Sequence, residues 1–177
     1  MNIKYRLSSK EKVDELKKIA NNICLFINEI KNNQNLSLVN SLAVELRKLF
    51  DEKNPGNNLL ERLENDLNIK LKFPDKKTRL PPQTTHVSID DYKNNLVFSS
   101  NGRGFTRIEI IKILADKKGA HLDDQQDIII KQSEKIFLPF GNPAKTKLIL
   151  EQNHYYLLAI AITTIKVINE QIFNKYL

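Results

Sequence analysis

Val13, Leu16, Ile19, Ala20, Ile23, Ile27 and Ile30 recur at steps of mostly three and four residues. A strand alternates every second residue, so this spacing instead places the apolar side chains along one face of a helix. Ser8 and Glu11 stand three apart ahead of the run, the spacing at which each side chain satisfies an orphan backbone N–H of the first turn. "KNNQN" ends the helix. Val39, Leu42, Ala43, Leu46, Leu49 and Phe50 repeat the pattern, with Ser37 as the expected cap. After the turn "NPGNN", 54–58, "LLERLENDL" supplies a third, short helix. Short loops between amphipathic helices predict an antiparallel bundle.

The helical period then disappears between about 68 and 105. "IKLKF" alternates, as a short strand does. "DKKTRLPPQTT" is a basic, proline-broken loop. "HVSIDDY" and "LVFSS" are expected as second and third strands, with "KNN" as the hairpin turn between them. Helices return at Thr106, which has capping-box spacing to Glu109, and Gly119 stands where a left-handed glycine closes a helix. That predicts a helix over 107–118, with Ile108, Ile111, Leu114 and Ala115 on its core face, widened by Ile110 and Ile113. Another helix falls within 122–137, "LPFGNP" breaks it, and Asn142–Pro143 forms an N-cap and first-turn pair. The pattern is helical from there to Leu177, as one long helix or two abutting ones. The expected fold is α+β and predominantly α, in one domain. It comprises a helical bundle over 1–67, a β/loop insertion of two or three short strands over 68–105, and C-terminal helices over 106–177 with a long last one.

The length of 177 residues suits a single domain with a sizeable core. One cysteine, Cys24, excludes an internal disulfide framework and a cysteine-built zinc site. It lies in "ICLFI" and is expected as a buried thiol. The start "MNIKYRLSSKEK" has no apolar run of signal-peptide length. "YYLLAIAITTIKVI", 155–168, contains Lys166 and falls short of the roughly 20 residues that span a bilayer. The expectation is therefore a cytoplasmic protein with no membrane partner and no cofactor. His86, His121 and His154 are far apart, without ligand spacing, so no metal is expected either. A formal charge of +7 and a pI near 9.4 favour an anionic partner, RNA or a nucleotide, although lysine-rich composition produces the same excess without one.

Three stretches carry candidate chemistry. In "SSNGRGFTR" two arginines crowd the start of a helix, where the backbone already carries about half a positive charge. An anion there would reverse the sign of the interaction. The candidate phosphate site is Ser100, Gly102, Arg103, Gly104, Thr106 and Arg107, with the glycines admitting close backbone approach. The competing reading is a plain hairpin turn, since Asn-Gly is a common type I′ pair. The stretch lacks the Lys-Ser/Thr of a phosphate-binding P-loop, and Arg107 stands where GxGxxG needs its third glycine. In "KGAHLDD", His121 with Asp123 or Asp124 has the minimum kit for acid–base catalysis, and is explained equally by helix capping. Lys70, Lys72, Lys76, Lys77 and Arg79, with Phe73 among them, suit single-stranded nucleic acid or simply a solvated loop. His154 and Glu151 are expected as a buried hydrogen-bonded pair.

"TRIEIIKILADKKGAHLDD" resembles a segment of uncharacterised bacterial helical proteins, with "LAVELRKLF", 42–50, as a second shared block. That group implies no activity, so no functional residue is carried over from it. Arg79 and His86 have the Arg-to-His spacing of the HEPN ribonucleases, but Pro81 and Pro82 lie between them and break the helix that motif needs. The leading expectation is a protein that binds a phosphate-bearing ligand, RNA or a nucleotide, with metal-independent phosphodiester cleavage if His121 acts. The alternative is a helical protein–protein interaction module, or a homodimer through the last helix, without a small ligand.

Overall fold

The computed structural model describes residues 8–32, 36–51, 58–77, 83–100, 103–115 and 155–176. Helix α1 (Ser9–Asn32) opens on the expected capping box: the Ser8 N–H donates to Glu11 Oε2 at 2.6 Å, and the Glu11 N–H to Ser8 Oγ at 3.2 Å. The seven apolar positions of its stripe are all buried. Cys24 is exposed, not buried, and so is Leu25. Ile23 and Ile27, one turn apart, take the core face, and the 100° step per residue carries Cys24 off it. Helix α2 (Leu36–Phe50) already begins at Leu36, so Ser37 lies in its first turn and is not its cap. Helix α3 (Leu59–Leu67) is capped by Asn58, whose side-chain oxygen accepts the Glu61 N–H at 2.8 Å. It ends on Asn68 in the left-handed region at φ 50°. The three helices pack on one another, and Lys12 of α1 forms an ion pair with Asp66 of α3.

The central region differs from expectation. Strand β1 (Phe73–Lys77) pairs antiparallel with β2 (Gln83–Val87), from Phe73 opposite Val87 to Lys77 opposite Gln83. Strand β3 (Leu96–Ser100) pairs antiparallel with β4 (Arg103–Thr106), with a bulge between Leu96 and Phe98. Between the two hairpins lies a short helix, α4 (Ile89–Asn94), where a strand and the turn "KNN" were expected. Ser88 explains it: its Oγ accepts the Asp91 N–H at 3.1 Å and donates to Asp91 Oδ2 at 2.8 Å. Asp90 and Asp91 then sit in the first turn, where the helix dipole favours negative charge. Ile89 and Tyr92 are three residues apart, and both are buried.

Helix α5 (Arg107–Ala115) starts where the Thr106–Glu109 pair predicts and lies along α2. The Glu109 carboxylate accepts both the Thr106 N–H and its hydroxyl, at 2.9 and 3.0 Å. Helix α6 (Tyr155–Ile168) runs on through a π-helical turn at Asn169–Phe173 and a final turn at Asn174–Tyr176. The segment Tyr156–Tyr176 is 21 residues long and has a mean hydropathy of 1.3 over an 18-residue window, so by length and composition it is long enough to cross a membrane. It extends beyond the fourteen apolar residues legible in the sequence. Leu157, Ile160, Ala161, Thr164, Val167, Ile168 and Ile172 are nevertheless buried, and α6 packs on α1, α2, α5 and β1. The helix expected within 122–137 lies outside the described residues.

Phe50, Phe73 and Tyr92 tie the layers together. The Phe73 and Tyr92 rings stack with centroids 4.5 Å apart, and Phe50 closes on them at 5.9 and 6.2 Å. This places β1 and α4 directly on the end of α2.

Candidate functional site

Arg107 was singled out because its charge opposes the helix dipole. The structure places a carboxylate against it. Arg107 Nη2 donates to Asp75 Oδ1 of β1 at 2.7 Å, and Nη1 donates to the Tyr92 carbonyl at 3.0 Å. The guanidinium carbon lies 4.2 Å from the centre of the Tyr92 ring. Asp75 Oδ2 accepts a further hydrogen bond from Asn95 at 2.8 Å. Both side chains are largely buried, 16% and 12% exposed. The anion that the helix start calls for is thus supplied by the chain itself, and Arg107 clamps β1, α4 and α5. Asp75 carried a sequence signal: it is the sole acidic residue between Asp66 and Asp90, in the middle of the basic run. Burial pushes the Tyr92 hydroxyl above its ordinary value, outweighing the Arg107 charge and a hydrogen bond with Thr163 that act to lower it.

The remaining members of the arginine turn divide. Thr106 is engaged in the capping box with Glu109. A Cβ on Gly104 would lie 2.5 Å from Leu96 Cδ2, so the glycine makes room for a leucine side chain across the hairpin. Ser100 and Arg103 pair at the hairpin end, and their side chains are outside the description. Gly102, Arg79, His121, Asp123, Asp124, Glu151 and His154 lie outside the described residues.

Lys70 and Lys72, from the basic run, open onto a cleft of about 500 Å³. Its walls are α3, the segment 70–72, the end of β2 and the start of α4, which bring Glu61, Glu64, His86 and Asp90 to it as well. The cleft was not legible in the sequence, because its lining comes from separate stretches between Glu61 and Asp90. Each of its carboxylates has a cation. Glu61 lies 3.1 Å from Lys93 Nζ and Asp90 lies 3.3 Å from the same nitrogen. Glu64 lies 3.6 Å from Lys70 Nζ and accepts the Leu71 N–H at 2.6 Å. Lys72 and His86 are exposed and form no ion pair among the described residues. Lys76 and Lys77 stand on β1, in register with Thr84 and Gln83, and their side chains are outside the description. His86 stands on a strand, which agrees with setting aside the helical Arg-to-His motif.

Among the described residues no group of three histidine, cysteine or acidic side chains is placed to hold a metal. No family model matches the chain, and neither does any curated protein or solved structure.

Proposed function

We propose that the protein binds a phosphate-bearing ligand, RNA or a nucleotide, in the cleft beside Lys70 and Lys72, as a cytoplasmic protein. The observation that carries this reading is the convergence of Lys70, Lys72 and His86 on one open cleft whose carboxylates are already matched by Lys93, Lys70 and a backbone N–H. Lys72 and His86 then remain as donors for an anion. Exposure alternates over 70–73: Lys70 and Lys72 are exposed, while Leu71 and Phe73 are buried. The overall charge of +7 draws an anion toward the surface. Arg107 has no part in this site, because Asp75 holds it.

Fluorescence anisotropy of a labelled single-stranded RNA, with ATP as competitor, tests the reading. Lys70→Ala with Lys72→Ala should lower the affinity and reduce the slope of log K against log salt by about 0.7 for each lost phosphate contact. A double variant that binds RNA and ATP as the parent does removes the cleft from the function.

A second reading, a protein–protein module or homodimer, draws on the exposed apolar side chains Leu25 of α1 and Ile162 of α6. Sedimentation at high concentration decides it: a strict monomer removes self-association.

A further inference from the structure

We infer that Gln171, on the π-helical turn of the last helix, is a positioning residue of the cleft that fixes the main chain of Lys72 so that its ammonium is presented to a bound phosphate. The inference rests on the cleft reading above.

The segment 69–72 belongs to no helix or strand, and the described strand pairing begins only at Phe73. A segment outside helix and ladder leaves main-chain groups to be satisfied by other means. Two side chains do so here. Glu64 Oε1 of α3 accepts the Leu71 N–H at 2.6 Å. Gln171 takes both polar groups of the next residue: its Oε1 accepts the Lys72 N–H at 2.9 Å, and its Nε2 donates to the Lys72 carbonyl at 2.7 Å. One primary amide thereby reproduces the two-bond exchange of a paired residue in an antiparallel ladder. It does so across 99 residues of sequence.

The helix is built to make this contact. Over Asn169–Phe173 it widens, and the Asn174 N–H reaches the Asn169 carbonyl, a five-residue step. Ile168 and Ile172 remain fully buried on either side, so the core face is kept while Gln171 meets the segment at its edge. Single π turns within α-helices recur at functional sites. A lysine whose backbone is held at both polar groups loses less freedom on meeting a phosphate than one on a free loop, and that difference is affinity.

The test uses the full chain, a labelled single-stranded oligouridylate and, in a separate arm, ATP. Gln171→Met keeps the side-chain length and removes both hydrogen bonds; Gln171→Ala serves if the methionine variant misfolds. Either should weaken oligouridylate binding about two- to tenfold and lower the salt slope by about 0.7. Combined with Lys72→Ala, either should weaken binding no further than Lys72→Ala alone, because both act through one contact. Weakening of the ATP arm in parallel assigns the contact to phosphate in general; weakening confined to the oligomer assigns it to a polynucleotide backbone. A variant that melts at lower temperature but keeps affinity and salt slope overturns the inference, as does strict additivity with Lys72→Ala. If Lys72→Ala weakens the parent and Gln171→Met does not, the positioning role alone fails. If the parent binds neither probe, the cleft reading fails first and this role falls with it.

Discussion

Arg107 and Asp75 meet at 2.7 Å across the junction of α5 and β1, with Tyr92 beneath the guanidinium. A cation at a helix start is unfavourable alone, and a carboxylate taken as far out of water as that of Asp75 is costly unless it is paired. Each resolves the other. With both side chains largely out of water, removing one partner strands a buried charge. Arg107→Ala is expected to lower the unfolding free energy by about 3–5 kcal/mol, read from urea denaturation. Arg107→Lys should recover only part of it, because an ammonium cannot engage the carboxylate, the Tyr92 carbonyl and the ring face together. A loss near zero for Arg107→Ala would show that the clamp does not hold the hairpin to α5.

A second ion cluster gives an acid-side prediction. Asp51, at the end of α2, accepts from Arg47 at 2.6 Å and lies 2.9 Å from Lys112 of α5. Burial acts to raise its carboxyl, but the hydrogen bonds and charges of Lys112 and Arg47 outweigh it and hold the group below its ordinary value of 3.8. A carboxylate depressed on folding contributes stability that is present above the unfolded value and is lost as pH falls through the folded one. Asp51→Asn should therefore be less stable than the parent at neutral pH, with the gap closing as pH falls below about 4. Chemical melts at several pH values check this. A gap that stays constant would mean that the cluster contributes no proton linkage.

The helices were legible because their signals are local. The stripes of α1 and α2 and the capping boxes at Ser8 and Thr106 need only residues within one or two turns. Around α4 the pattern is ambiguous because Val87 and Ile89 alternate as in a strand, while the three-residue step from Ile89 to Tyr92 and the Ser88 cap decide for a helix. Cys24 was misplaced because a continuous apolar run does not say which face wins. The arginine turn was recognised as unbalanced in charge, but the balancing acid lies 32 residues away and no spacing rule reaches it. The Gln171 bracket on Lys72 depends on a contact spanning 99 residues. Lys70 and Lys72 are candidates in the sequence as basic residues with Phe73 among them, and only the cleft between α3, the end of β2 and the start of α4 gives them common surroundings.

Thr106 separates the two meanings of the arginine turn. Its hydroxyl accepts the Glu109 N–H at 3.3 Å and donates to the Glu109 carboxylate at 3.0 Å. Thr106→Ala should cost about 1 kcal/mol of stability, as loss of a helix cap does. RNA affinity should be unchanged when measured on the folded protein. Thr106→Ser should restore most of the loss. If Thr106→Ala instead weakens RNA or ATP binding with stability intact, the helix start itself takes part in the site.

Tyr92 supplies the alkaline counterpart. Its ring is stacked on Phe73 and covered by Arg107, and burial raises its hydroxyl above the ordinary value of 10.0. The neutral phenol is the form that the folded chain prefers, so this contribution is complete below the unfolded value and is lost as pH rises above it, the unfolded chain ionising first. Tyr92→Phe keeps the stack and removes the hydroxyl with its Thr163 hydrogen bond. At neutral pH the variant should be destabilised by about 1 kcal/mol. Above pH 10.0 the parent should lose stability more steeply than the variant, so the difference between them narrows. Urea melts of both proteins on either side of that value measure it. If the parent and variant lose stability in parallel through the alkaline range, the Tyr92 hydroxyl is as accessible to water in the fold as in the unfolded chain, and the packing of α4 beneath Arg107 is looser than the 4.5 Å ring stack implies.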